Sequence, residues 1–302
     1  MKIAVQVFGH MRTFQKCAPI LKKKVLDKYN CDVFIHTWSK PYHDGEDVNY
    51  ADFYSDIVRL YDPKVIKIEE QGFYNEMGSY AVDNNTSFNG SNPLISGLKY
   101  MCYSMVSVNL LRMSFQEKNC IDYDYILFIR PDIYINEDFD IEVFNNEFNF
   151  NQNTLISFIS YPVLTVASKR VGVIYLANDV FMLTLPSVAN LIFKSLSDFD
   201  KYYVDFPKKF PINNFHPEAS FSEMIVSKGI IHKAYIFSYN ISRKSRKDDI
   251  IVSLDASNKY IPLNNFIGNN TKLKKYKLRL FYLFILLFFS LVINFCYLAN
   301  FF

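Results

Sequence analysis

The chain has 302 residues, 50% of them hydrophobic and 17% aromatic, enough apolar material to bury a sizeable core and too much for general disorder. Its 33 Lys and Arg face 30 Asp and Glu, and the net charge of +3 excludes a global field for nucleic acid. Five cysteines without a CxxC pair or metal-ligand spacing, an odd number that suits a disulfide framework poorly, point to reduced, mostly buried thiols.

Lys2 to Phe8 is a short apolar run that closes at Gly9, and the polar residues Gln6, His10 and Arg12 interrupt it too early for the apolar core of a secretory signal. The folded domain is therefore expected to stay in the cytoplasm. Gln15 to Tyr29 carries Ile20, Leu21, Val25 and Leu26 at helical spacing. Cys31 to Trp38 and Lys64 to Glu69 are β-branched and aromatic, so the chain opens as strand, helix, strand, strand. Pro41 to Asp47 and Asn75 to Asn92 are rich in Asn, Asp, Gly and Ser and read as loops bordering a site.

Asn92-Pro93 opens the longest helical pattern, with Leu94, Leu98, Met101, Met105, Val108, Leu111 and Phe115 on one face as far as Asn119. Asp124 to Ile129 is a nearly unbroken apolar run, as in a central strand covered on both faces, and Arg130-Pro131-Asp132 stops it. Thr154 to Ser160, Asp179 to Thr184 and Ile230 to Tyr239 read as further strands, and Pro186 to Leu196 and Pro217 to Lys228 as helices. The alternation predicts an α/β fold with a mainly parallel sheet flanked by helices, in which ligands gather at the carboxyl ends of the strands. Three regions are expected: a catalytic domain over 1–240, a polar and basic connector over 241–279, and a membrane helix over 280–302. The last stretch, LFYLFILLFFSLVINFCYLANFF, has no charged residue, and about 20 apolar residues cross the hydrocarbon core as a helix. Lys272, Lys274, Lys275, Lys277 and Arg279 precede it, which by the positive-inside rule keeps the domain cytoplasmic and suits anionic lipid.

The polar residues at strand ends are the candidates for chemistry. Gly9 permits a tight turn, the following N–H groups and the helix N-terminus can face an anion, and Arg12 offers a forked donor to phosphate beside His10 and Thr13. Trp38, the single tryptophan, either stacks on a nucleotide base or packs in the core. Asp132 either holds Mg2+ or Mn2+ with the phosphate oxygens of a donor or caps local N–H groups in its turn. Asp179, and Glu218 in the first turn of a helix, are acids able to accept a hydroxyl proton, and His216 before Pro217 is a further candidate to orient an acceptor.

The strings KIAVQVFGHMRTF, DVFIHTW, YDYILFIRPDIYI, NDVF and HPEASFSEMI, spread in order over about residues 1–240, resemble a group of bacterial glycosyltransferases encoded with surface-polysaccharide genes, whose fold is like the GT-A nucleotide-sugar transferases. The resemblance implies a nucleotide-sugar donor, a glycan or lipid-linked acceptor of capsule or lipopolysaccharide synthesis, and a site at the inner membrane facing the cytoplasm. In GT-A enzymes a DxD motif ends the nucleotide-binding half, its acids meeting the metal and the diphosphate. The matching stretch here is Arg130-Pro131-Asp132, in which only the second acid is present. The resemblance thus implies a donor site at Asp132, with the Arg130 guanidinium able to neutralise phosphate in place of part of the metal's charge. Transfer of a non-sugar group onto a capsular glycan, or a non-catalytic membrane-tethered scaffold, are the competing expectations.

Overall fold

The computed structural model of the chain describes residues 1–42, 49–71, 95–148, 153–160, 177–198 and 217–242. The chain divides into a unit over 1–260, which holds every described residue, and a second unit over 261–302. The expected connector and membrane helix lie outside the described residues from Arg243 onward; among the described residues no helix is long and apolar enough to cross a membrane.

β1 (Lys2–Phe8), β2 (Asn30–Trp38), β3 (Val65–Glu69) and β4 (Tyr125–Ile129) pair in parallel in the order β3-β2-β1-β4. The sheet continues through β7 (Phe181–Thr184), β6 (Thr154–Ile159) and β8 (Ile231–Ile236) to seven strands, of which β7 alone runs against its neighbours. The apolar runs of the central strands have the expected cause, since alternate residues enter two different cores. Val5 and Val7 of β1 join the face covered by α1 (Phe14–Leu21), α2 (Tyr50–Tyr61) and α4 (Ile141–Phe148). Ala4 and Phe8 join the opposite face, under α3 (Ile95–Asn119), α5 (Pro186–Leu196) and α6 (Pro217–Ser227).

Four features differ from the sequence reading. The helix after Gly9 ends its α-helical part at Leu21 and passes into a wider, π-helical turn over Lys22–Leu26. α2 fills the stretch before β3: Phe53, Ile57 and Tyr61 recur every fourth residue and are its buried side, and Asn49 caps it by accepting the Ala51 N–H at 3.0 Å. β5 (Ile133–Ile135) and α4 follow the Arg-Pro-Asp turn, where short length and paired asparagines conceal the pattern. The run Ile230 to Tyr239 is two strands, because the chain leaves the main sheet after β8 and β9 (Tyr239–Ile241) pairs antiparallel with β5. Of the cysteines, Cys17 and Cys102 are buried and Cys120 is exposed, all as free thiols.

Candidate active site

Because β1 to β4 run the same way, Gly9, Trp38, Glu69 and Arg130 arrive at one edge of the sheet. The reversal of β7 brings a further acid there: Phe181 pairs with Ile129, so the residues just before β7 lie beside the end of β4, and the Arg130 N–H donates to the Val180 carbonyl at 3.0 Å. Asp179 thereby reaches the same edge although its strand runs the other way. A cleft of about 240 Å3 opens at this edge, lined by the turn Gly9-His10, by Arg12 and Arg130, and by Trp38, Tyr100 and Met101.

The strongest electrostatic feature is a triad. Asp132 is fully buried and accepts from Arg130 Nε at 3.0 Å, from Arg130 Nη2 at 2.5 Å and from Arg12 Nη1 at 2.6 Å. Burial alone would push the Asp132 carboxyl up, but the two guanidiniums outweigh it and hold the acid below its ordinary value. Arg12 in turn is drawn below its ordinary value by burial and by repulsion from Arg130, with Asp132 opposing. Two cations share one anion, so the edge of the cleft keeps a surplus positive charge. Arg12 and Arg130 line the cleft; Asp132 does not. Arg12 is held in place at a cost, because its backbone has φ +46°, a conformation that costs an L-residue about 1–2 kcal/mol, and its N–H donates to the Pro41 carbonyl at 2.9 Å.

This geometry changes the role expected of Asp132. Three N–H bonds occupy its two oxygens, and among the described residues no group of three His, Cys, Asp or Glu is placed to hold a metal ion. The residues around Asp132 do not fit Mg2+ or Mn2+ there, since two guanidiniums already neutralise its charge and would repel a second cation. The carboxylate instead aims the two guanidiniums.

The turn after β1 is also put to a different use than the sequence suggests. The Gly9 N–H donates to Ser104 Oγ at 2.7 Å and the Arg12 N–H is spent on Pro41, so these two backbone donors are committed within the protein. His10 lines the cleft, its Nδ1 2.9 Å from the Lys40 carbonyl. Thr13 is not brought to the cleft, because its hydroxyl donates to the Ser242 carbonyl at 2.8 Å and ties α1 to the end of β9. Trp38 borders the cleft but is 1% exposed, stacked on Tyr103 at 5.8 Å and edge-on to Tyr100 at 5.5 Å. Its packing alternative therefore prevails, and half-buried Tyr100 is the more exposed aromatic side chain of the cleft wall.

The second acidic element is the pair Asp179 and Glu218. Burial, then repulsion from Glu218, push Asp179 up to about 7, while Arg130 works in the other direction. α6 is fixed against this loop by Ser222, whose hydroxyl accepts from the Ala177 N–H at 2.8 Å and donates to the Glu218 carbonyl at 2.7 Å. Arg130 thus lies within electrostatic reach of both Asp132 and Asp179. His216 lies outside the described residues.

Sequence reasoning passed over Tyr100, Met101 and Ser104, because they sit on a helix read only for its apolar face. A polar Ser104 one turn beyond Tyr100, on a helix leading to the Arg-Pro-Asp strand, is the signal that was there.

No family model matches the chain, and no curated protein does. Among solved structures, core-mannan synthase A from Aspergillus fumigatus, in a form with manganese and GDP, is 11% identical over 86% of this chain and 80% of that one, with a TM-score of 0.42. The glycosyltransferase GlyE of Streptococcus pneumoniae, without ligand, is 11% identical over 76% of this chain and 44% of that one, with a TM-score of 0.37, so this chain spans less than half of that structure's length.

Proposed function

We propose that this chain is a nucleotide-sugar-dependent glycosyltransferase of GT-A-like fold. The observation that supports it most is the paired guanidiniums of Arg12 and Arg130 at the carboxyl ends of parallel strands, set in one cleft with Tyr100 and Met101. A nucleoside diphosphate has the complementary chemistry: a flat base for the aromatic wall and two phosphates for the forked donors. In the transfer, the acceptor hydroxyl oxygen bonds to the anomeric carbon, the bond from that carbon to the diphosphate breaks, and the hydroxyl proton passes to a carboxylate. The carboxylate we assign to this step is the Asp179 and Glu218 pair, which lies near Arg130 but not among the residues lining the cleft, since an acid that titrates near neutral pH is matched to proton transfer. The guanidiniums stabilise the negative charge on the departing diphosphate, and Asp132 keeps them aimed.

The finer reading adds a surface glycan of capsule or lipopolysaccharide type, or its lipid-linked intermediate, as acceptor. It places the domain on the cytoplasmic side of a bacterial inner membrane, with 280–302 as the anchor and 272–279 against anionic lipid; the charge-free tail and its basic flank support this. The test is a thermal-shift screen of nucleotide sugars with and without Mn2+ and EDTA, because a ligand that binds the folded state raises its apparent stability. Selective stabilisation by one nucleotide sugar, with release of its nucleoside diphosphate on adding a glycan acceptor, is expected; a protein that no nucleotide stabilises refutes the reading and favours a scaffold.

A further inference from the structure

Beneath the cleft lies a second polar chain that the reaction does not use directly. His36 is fully buried near the end of β2, with Nε2 2.7 Å from Glu69 Oε2 on β3 and Nδ1 2.8 Å from Ser104 Oγ on α3. Glu69 also accepts from Tyr103 at 3.0 Å and pairs with Lys67 at 2.7 Å, and Trp38 stands edge-on to the imidazole at 5.2 Å. These and the Gly9 turn are the groups that face His36 from β1, β2, β3 and α3. Hydrogen bonding, first from His36, holds Glu69 ionised down to about 2, and a carboxylate only accepts, so Nε2 carries the hydrogen. Burial lowers the pKa of His36, which keeps the ring neutral and leaves Nδ1 as an acceptor. The Ser104 hydroxyl also reaches the His36 carbonyl at 3.2 Å, but the shorter contact is with Nδ1, so it donates there and its lone pairs turn toward the Gly9 N–H, 2.7 Å away.

Gly9 needs such a partner. Its φ is +88°, and a Cβ built there would meet nothing within 4 Å, so glycine is demanded by the backbone conformation and not by space. Three residues on, Arg12 leaves the same turn in its own strained conformation toward Asp132. We infer that His36 is a positioning residue, which orients the Ser104 hydroxyl to hold the Gly9 amide and thereby sets the turn from which Arg12 reaches the cleft. The functional half of this inference rests on the reading of the cleft as a diphosphate site; the structural half does not.

The two ring nitrogens separate this role from simple packing. In His36→Asn the side-chain amide reaches where Nδ1 was and keeps a partner for Ser104, whereas His36→Gln reaches where Nε2 was and keeps the bond to Glu69. The experiment follows hydrogen exchange of the Gly9 amide in protein carrying 15N-glycine, together with affinity for inorganic pyrophosphate. Ser104→Ala and His36→Gln should speed Gly9 exchange by about threefold to tenfold, the worth of one net hydrogen bond, and weaken pyrophosphate binding, while His36→Asn stays near wild type. Unchanged Gly9 exchange in Ser104→Ala, which removes one oxygen and leaves the helix intact, overturns the inference even if the His36 variants fail to fold. Equal loosening by Asn and Gln overturns it too, because packing alone would not distinguish the nitrogens. If the exchange pattern holds but the wild type binds no pyrophosphate, the positioning of Gly9 stands and the diphosphate reading of the cleft falls.

Discussion

Asp179→Asn should make the protein more stable and less active at once, and the size of the first effect follows from the site. Burial and the neighbouring Glu218 move Asp179 from 3.8 to about 7, so between those values the folded chain keeps a proton that the unfolded chain has released. Stability contributed by this group is therefore full below pH 3.8 and is lost as pH rises toward 7. Three units at about 1.4 kcal/mol each give an upper limit of about 4 kcal/mol lost by pH 8. The carbonyl oxygen of an asparagine keeps the acceptor and removes the charge, so the variant should recover part of that loss at pH 8 and nothing at pH 4. For a domain of this size each 1 kcal/mol moves the melting temperature by roughly 2–4 °C, which calorimetry at the two pH values resolves. Turnover should fall by about 10²–10⁴, the usual worth of a general base, and the acid limb near pH 7 in the wild-type rate profile should disappear. A variant that gains nothing at pH 8, or gains as much at pH 4, shows that Asp179 is ionised in the fold and refutes the raised acid.

Asp132→Asn should cost up to about 3 kcal/mol of stability, the low end for breaking a buried pair, because it leaves two half-buried guanidiniums facing each other without their anion; an unaltered melting temperature contradicts the triad. Pyrophosphate should raise the melting temperature of that variant more than that of the wild type, since an anion in the cleft then neutralises both arginines. Arg12→Ala should weaken nucleotide binding by about 1.5–3 kcal/mol, the worth of a charge-assisted bond, while Arg12→Gly should bind as weakly yet be about 1 kcal/mol more stable than Arg12→Ala because glycine accepts φ +46°. Titration calorimetry paired with thermal melts decides both comparisons. Removing residues 272–302 should leave a domain that still hydrolyses donor but no longer sediments with vesicles; retention on the vesicles would remove the tail as anchor.

The strands were legible because their chemistry is local. β1, β2 and β4 are runs whose residues are buried on both faces, and such runs admit few other readings. α2 and α4 were missed for the opposite reason: each buries one side at the margin of a core, and their polar residues resemble the loops beside them. Arg12, Arg130 and Asp132 could be picked out as residues at strand ends, but not the direction in which each points. Sequence spacing places Arg130 and Asp132 two apart and Arg12 far away, and only the parallel pairing of β1 with β4 brings the three together. Asp179 was legible as an acid beside a strand, while its depth and its coupling to Glu218 depend on the reversed direction of β7 and on the docking of α6.

That reversal also sets the surroundings of Arg130 in the proposed chemistry. A side chain at the end of β4 faces two neighbours, β1 on one side and β7 on the other, and each contributes an acid or a turn to it. Asp132, in the turn that follows β4, takes up part of its charge together with that of Arg12 from the β1 side; on the β7 side, Asp179 feels what remains, as a force opposing burial and Glu218. A diphosphate drawn to Arg130 would cancel that remaining field and push Asp179 further up, toward holding its proton more tightly. When the diphosphate departs with its own counter-charges, the field returns and the acid is eased toward release. On the proposed reading, the donor subsite and the proton acceptor are therefore linked through one guanidinium. It follows that Arg130→Gln should raise the acid limb of the rate profile above its wild-type position as well as weaken donor binding, and a shifted affinity with an unmoved limb would separate the two halves of the site.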